Sequence, residues 1–252
     1  MLTRLLLLAT AILGSAVIFT GAWPVPAASF HEAAEVRFVA QPIALDPDVV
    51  GAGVDARELI DKSLAKLDAP WLTTKIRQTT ANGDSRCISE GYLHRAPNHC
   101  ARLEMKIGAA KAPLLAVCDG YVVAQVSDDG KPLVAPLSDP KGAELEKLGC
   151  GGPAVFLRAV KRHLDDARLQ TGKLGEQAVI QIETSLTPDP KRGNGRVAAT
   201  ACQIFLDAAT LWPSRVEWTG NGHPILRVEF LEPTVGREMS VEECSRLFSY
   251  RP

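Results

Sequence analysis

Aromatic residues are scarce in this 252-residue chain, at 6%, so any interior or cavity it builds must be lined mainly by Val, Leu and Ile. Charge of one sign is scarce too. The 28 Lys and Arg are scattered among 29 Asp and Glu, giving a formal net charge of −1 with no basic block. That distribution leaves no electrostatic footprint for nucleic acid and argues against such a partner. Beyond residue 19 no apolar run approaches the roughly 20 residues that a membrane-spanning helix needs.

Signatures of the common catalytic classes are missing as well. There is no G-x-S-x-G, H-E-x-x-H, G-x-x-x-x-G-K-[ST] or G-x-G-x-x-G, which removes the usual support for a serine hydrolase, a zinc protease, a P-loop enzyme or a dinucleotide-binding domain. Cys87, His94, His99 and Cys100 lack C-x2-C or H-x3-H spacing, so neither a metal nor another cofactor is expected. Gly149-Cys-Gly-Gly-Pro153 has no Lys, Ser or Thr beside it and reads as a loop into a proline-started helix. His94, His99 and His223 fall at strand ends or turns and His163 near the edge of its helix's apolar stripe, without a paired nucleophile or an orienting acid. The pairs Asp165-Asp166 and Glu242-Glu243 fall on exposed helix faces, where sequence neighbours diverge by about 100°. No residue is assigned a catalytic role, and the chain is read as a non-enzyme.

What is present begins with an export pattern. Arg4, the uncharged run Leu5 to Phe19 and the small-residue stretch Val25-Pro-Ala-Ala-Ser29 match the three regions of a secretory signal peptide over residues 1–28. Residues 29–54 read as an irregular lead and 55–252 as a single domain in the periplasm or cell envelope. In such a compartment the six cysteines, an even number, predict one to three disulfides. If Ala101 to Ile107 pairs antiparallel with Pro113 to Cys118, then Cys100 and Cys118 arrive at one end of the sheet as a candidate pair.

Periodicity supplies the architecture. Asp55 caps a helix in which Leu59, Ile60, Ser63, Leu64 and Leu67 recur at helical spacing, with Glu58 completing a capping box. Pro70 ends it. Strands are expected at Trp71–Thr80, Ser85–Arg95, Cys100–Ile107, Pro113–Cys118 and Tyr121–Ser127, joined by short turns such as Asn82-Gly83 and Asp119-Gly120. An insert at Asp128–Gly152 contains a short helix over Pro140–Leu148, and a second long helix is expected over Pro153–Leu169. Strands resume at Gln177–Leu186 and, beyond a polar loop, at Thr200–Leu206, Ser214–Thr219 and Pro224–Glu232. The last three alternate cleanly, with Arg215, Glu217, Arg227 and Glu229 on a side expected to be wet. A terminal helix over Ser240–Phe248 has its own capping box in Ser240 and Glu243. With no βαβ alternation this is an α+β chain: about nine strands in a strongly curved antiparallel sheet, a half-open barrel covered by helices.

The order and spacing of several short motifs resemble those of the LolA-like lipoprotein-carrier family over roughly Asp55 to Glu232. They are Ile76-Arg-Gln78, Gly91-Tyr-Leu-His-Arg-Ala-Pro97, Cys118-Asp-Gly-Tyr121, Phe205-Leu-Asp-Ala-Ala-Thr-Leu-Trp-Pro-Ser-Arg-Val216 and Leu226-Arg-Val-Glu-Phe230. The resemblance implies an exported binding protein that holds a lipid, an acyl chain or a lipidated protein terminus, with peripheral contact to a membrane. The cargo would lie between the sheet and its helices, against Ile76, Leu103, Met105, Val123, Ile180, Ile182, Ile204, Val216, Trp218, Leu226, Val228 and Phe230. The alternative is an envelope scaffold or interaction protein of the same fold whose interior its own side chains fill.

Overall fold

The computed structural model describes residues 37–44, 55–67, 70–82, 85–107, 113–126, 132–186 and 199–250. The signal segment, most of the lead, the turn after Asn82 and the polar loop from Thr187 lie outside them. Among the described residues twelve strands form one antiparallel sheet: β1 (Phe38–Ala40), β2 (Leu72–Asn82), β3 (Ser85–Arg95), β4 (Cys100–Ile107), β5 (Leu114–Asp119), β6 (Val122–Val126), β7 (Pro132–Pro136), β8 (Arg168–Leu174), β9 (Gln177–Ser185), β10 (Ala201–Asp207), β11 (Pro213–Gly220) and β12 (His223–Val235). The helices are α1 (Ala56–Leu67), α2 (Pro140–Cys150), α3 (Gly152–Val160) and α4 (Val241–Phe248).

Spatial order is β1-β8-β9-β10-β11-β12-β2-β3-β4-β5-β6-β7, so the sheet is open, with β1 and β7 as its edges. Register breaks at Phe205/Leu206, Trp218/Thr219 and Leu231/Thr234. Such bulges bend strands and add to the twist that curls a sheet of this size.

The expected count of about nine strands is too low. β1, β7 and β8 escape the pattern because each lacks the alternation that marks a half-buried strand. β8 (Arg-Leu-Gln-Thr-Gly-Lys-Leu) is mostly exposed, and what makes it a strand is pairing with β9 on one side and β1 on the other. Gly172 permits the second pairing, because a Cβ there would lie 2.3 Å from the Phe38 ring. β7 carries Pro132 and Pro136, which a sheet tolerates at an edge where the missing N–H has no partner to serve. The helix expected over Pro153–Leu169 accordingly stops at Val160, and the chain passes through a 3-10 turn into β8.

The outer face also departs from expectation. Arg215 and Glu217 are not wet: they are 5% and 8% exposed. Cross-strand pairing accounts for this, since Arg215 meets Glu229 at 2.8 Å and Arg227 meets Glu217 at 2.6 Å, each directly opposite the other in register. The row continues across the sheet. Arg215, Glu229, Arg77, Glu90 and Lys106 stand opposite one another on five adjacent strands, alternating in sign, and Arg77 meets Glu90 at 2.6 Å.

Close strand packing fixes another position. At Gly91, which faces Met105 in register, a Cβ would lie 1.7 Å from the Glu104 carbonyl oxygen and 2.8 Å from the Met105 Cα. Gly91→Ala must push β3 from β4, and we expect a loss of about 2 kcal/mol or more in urea unfolding. Removing one partner of the buried pair should cost more. Glu229→Ala removes the carboxylate opposite the 5% exposed Arg215 and is expected to lower stability by about 3 kcal/mol in the same measurement.

Candidate functional site

The inner face of the sheet is built by period-2 alternation and covered by α1 and α3, which pack against each other. α1 turns Ala56, Leu59, Ile60, Ser63, Leu64 and Leu67 inward, and its start is held by the Asp55 carboxylate, which accepts the Glu58 N–H at 2.8 Å. α3 is apolar almost all round, burying Pro153, Ala154, Val155, Phe156, Leu157 and Val160. Such a helix suits a position between a sheet and another helix rather than at a surface. α2 covers the β5–β7 end, where the Gln125 Nε2 donates to the Leu145 carbonyl at 3.4 Å.

All twelve residues anticipated as ligand contacts arrive in this one cluster. Ile76, Leu103, Met105, Val123, Ile180, Ile182, Ile204, Val216, Trp218, Leu226, Val228 and Phe230 each retain at most 6% of their surface. Among the side chains that join the cover to the sheet is Phe156. Its ring lies 5.4 Å from that of Trp218 and 5.7 Å from that of Phe230, tilted by 55° to both, the offset geometry that aromatic quadrupoles favour. Phe156 is legible in the sequence only as one member of a helical stripe. Its role as the wedge between two strand aromatics depends on a contact that no local pattern encodes.

The cover is docked by one turn. Trp212, at its end, donates from Nε1 to the Phe230 carbonyl at 2.9 Å, which explains why a tryptophan of that loop is buried. The Leu211 carbonyl accepts from Ser63 Oγ at 2.8 Å, and that of Thr210 accepts from Lys66 Nζ at 2.7 Å, so α1 hangs on the loop between β10 and β11. Asp207 organises the loop: its Oδ1 accepts from the N–H groups of Ala209 and Thr210 and from Thr210 Oγ1, while Oδ2 accepts from Gln177. Elsewhere the cover is tied by exposed ion pairs, Arg57 with Asp165 at 3.1 Å and Lys161 with Asp61. Pairs of that kind contribute little, typically below about 1 kcal/mol.

A concavity lies on the outer face, beside α4 where it packs over β4 and β5. It is a groove of about 470 Å³ lined by Glu90, Tyr92, His94, Arg102, Glu104, Lys106, Arg246 and Leu247, among others. Tyr92 and His94 stack with ring centroids 6.3 Å apart. Burial, with help from the Arg102 charge, holds His94 below the usual histidine range, so it is neutral at physiological pH, and His94 Nδ1 lies 3.1 Å from Thr73 Oγ1. Sequence reading does not locate this groove, because it depends on where the terminal helix docks.

The six cysteines are free thiols. The anticipated pair Cys100–Cys118 does not form, and the pleat explains why. Cys100 stands opposite Asp119 and Cys118 opposite Ala101; neighbours one residue apart on a strand point to opposite faces, so the two thiols lie on different sides of the sheet.

Among the described residues no helix is long and apolar enough to cross a membrane. No family model matches the chain, and no curated protein matches it in sequence. Solved structures that it resembles include an uncharacterized conserved protein from Thermus thermophilus (14% identity, 78% of this chain and 94% of that one, TM-score 0.48). Another is a chain of the MucA/MucB complex of Pseudomonas aeruginosa, of which this chain spans 60% (14% identity, 76% of this chain, TM-score 0.47). A third is the LolA superfamily protein NE2245 from Nitrosomonas europaea (10% identity, 79% of this chain and 99% of that one, TM-score 0.34). At these scores the likenesses carry no argument about what the chain does, and its function has to be argued from its own geometry.

Docking of α1 should depend on pH through Asp207. Burial alone would raise its pKa, but the hydrogen bonds from Gln177, Thr210 and the backbone outweigh it and hold the carboxyl below its ordinary 3.8. A depressed folded-state value stabilises the protein above the unfolded value, and that contribution is lost as pH falls through the folded one. Asp207→Asn is therefore expected to unfold more easily than the parent at pH 7, by about 1 to 2 kcal/mol. The gap should close as pH drops below about 4, as read by denaturation at a series of pH values.

Proposed function

We propose that this chain is an exported, non-enzymatic binding protein that takes an acyl chain, of a lipid or of a lipidated partner, between its sheet and the cover made by α1 and α3. The observation that supports this reading is Phe156, an aromatic wedge through which the cover meets Trp218 and Phe230 in a mainly aliphatic interior. In the free protein Phe156 fills the place that cargo would take.

The energetics allow the exchange. With α1 left seated, re-exposing Phe156, Leu157 and Val160 costs roughly 1.5 to 3 kcal/mol for each side chain, hence about 5 to 9 kcal/mol. An acyl chain gains about 0.8 kcal/mol for each buried CH₂, so about 14 carbons return on the order of 11 kcal/mol. The exposed ion pairs that tie the cover add little to the cost of opening. Cargo with a long single chain is favoured over short or polar ligands, because only a long chain offsets the opening.

A second reading is favoured by the burial itself. Every one of the twelve inward residues is at most 6% exposed without cargo, as in a core that its own side chains complete. On that reading the protein is an envelope scaffold or interaction protein that works through its outer surface.

Titration of the purified chain with a fluorescent fatty acid separates the two. Saturable binding is expected, tightened about tenfold by Phe156→Ala, which removes the wedge and leaves room for the chain. A folded parent and a folded Phe156→Ala variant that both fail to bind would overturn the carrier reading and leave the filled interior.

A further inference from the structure

Four of the cysteines gather where β4 and β5 end, divided between the two sides of the sheet. Cys118 shares the inner face with Ala101, and it lies near enough to Cys150, at the end of α2, for its charge to be felt there. Cys100 is opposite Asp119 and shares the outer face with Arg102, two residues along β4. That outer face is where α4 packs, against β4 and β5.

α4 docks over the face that carries Cys100. Arg102 Nη1 donates to the Leu247 carbonyl at 3.3 Å, which fixes the end of α4 over β4. From that contact Cys244 lies three residues, about one helical turn or 4.5 Å, back along α4. Cys100 lies two residues, about 6.7 Å, back along β4. Both cysteines thus lie within about 7 Å, measured along their own elements, of one contact between α4 and β4. Cys244 also precedes Phe248 by four residues, so it belongs to the helix face that the 3% exposed Phe248 buries. Cys100 and Cys244 are both partly exposed, whereas Cys118, Cys150 and Cys202 are fully enclosed.

We infer that Cys100 and Cys244 are a redox-active pair whose disulfide staples α4 to the outer face of the sheet. The pairing is independent of the acyl-chain reading. The oxidant is a disulfide, either a small one such as oxidised glutathione or that of a thiol–disulfide oxidoreductase. The Cys244 thiolate attacks one sulfur of the oxidant, forming a mixed disulfide and expelling the first thiolate. The Cys100 thiolate then attacks Cys244 Sγ, forming the Cys100–Cys244 bond and expelling the second. Two electrons pass from the cysteines to the oxidant, and the two cysteine protons end on the two released thiols. Burial, the neighbouring Cys244 and then Asp119 raise the Cys100 pKa, and bonding of Cys244 in the first step removes one of those causes. Burial drives the Cys150 thiol far above its ordinary value, so the enclosed inner pair is the less reactive one.

The bond would fix more than a helix. Arg246 and Leu247 form one wall of the outer groove, so closing the staple sets the position of that wall against Tyr92, His94 and Arg102.

The test is to equilibrate the full chain in oxidised and in reduced glutathione, unfold it with an alkylating reagent, and map the unreduced peptides by mass spectrometry. Expected in the oxidised sample is the loss of two alkylated thiols and one cross-linked peptide joining Cys100 to Cys244, with Cys87, Cys118, Cys150 and Cys202 alkylated as in the reduced sample. Cys244→Ser should return Cys100 to the alkylated state, and Cys100→Ser should do the same for Cys244, so either variant serves if the other does not fold. Full alkylation of Cys100 and Cys244 in the oxidised sample, a persistent glutathione adduct on Cys244, or a cross-link between Cys118 and Cys150 would overturn the inference.

Discussion

The structure depends on one requirement: a sheet of twelve strands with one apolar face has to have that face covered. Exposed, it would present a continuous greasy surface far larger than a soluble monomer tolerates. The chain meets the requirement with little material. Over the middle strands the cover is α1 and α3, held by a tryptophan-bearing turn on one side and by the Phe156 ring on the other. Everything on the inner side, from the Ser63 hydroxyl on the Leu211 carbonyl to the Trp212 N–H on that of Phe230, keeps those two helices seated.

That economy has a functional side. Where several layers of structure lie over a sheet, access to its interior demands unfolding. Here the cover meets the sheet through the apolar faces of α1 and α3, with Phe156 between two strand aromatics, and through one hydrogen-bonded turn, while the exposed ion pairs tie the cover to itself. Only the turn contributes several buried polar contacts, and its central carboxylate, Asp207, makes its strength a function of proton concentration. The outer side is organised on a different principle, with charges paired across strands rather than excluded, and it is there that the terminal helix adds a groove.

Much of this is legible in the sequence because the relevant rules are local. Strands β3 and β4 fall on the expected residues Ser85–Arg95 and Cys100–Ile107, since alternation and turn residues mark their ends. α4 begins where its capping box places it, with Ser240 and Glu243 exchanging side-chain to backbone bonds at 3.1 and 2.8 Å. The twelve apolar positions share one cluster because period-2 patterning assigns faces reliably. What is not legible is what depends on partners distant in sequence. β8 is a strand through β1 and β9, not through its own residues, and it shortens the helix expected before it. Arg215 and Glu217 look solvent-facing because a charge read alone looks wet; only register shows each opposite a countercharge. The Cys100–Cys118 expectation places the two correctly at one sheet end and fails on parity, which a one-residue offset decides.

The alternating row Arg215, Glu229, Arg77, Glu90 and Lys106 also constrains how such a chain can drift. A lone ion pair can be rewritten by two compensating changes, one at each partner. In a row, every interior member serves two neighbours at once, so reversing one sign sets like against like on both sides, and repairing those disturbs the next positions in turn. The stripe can therefore be inherited whole, or surrendered whole to apolar residues, far more readily than it can be edited one position at a time.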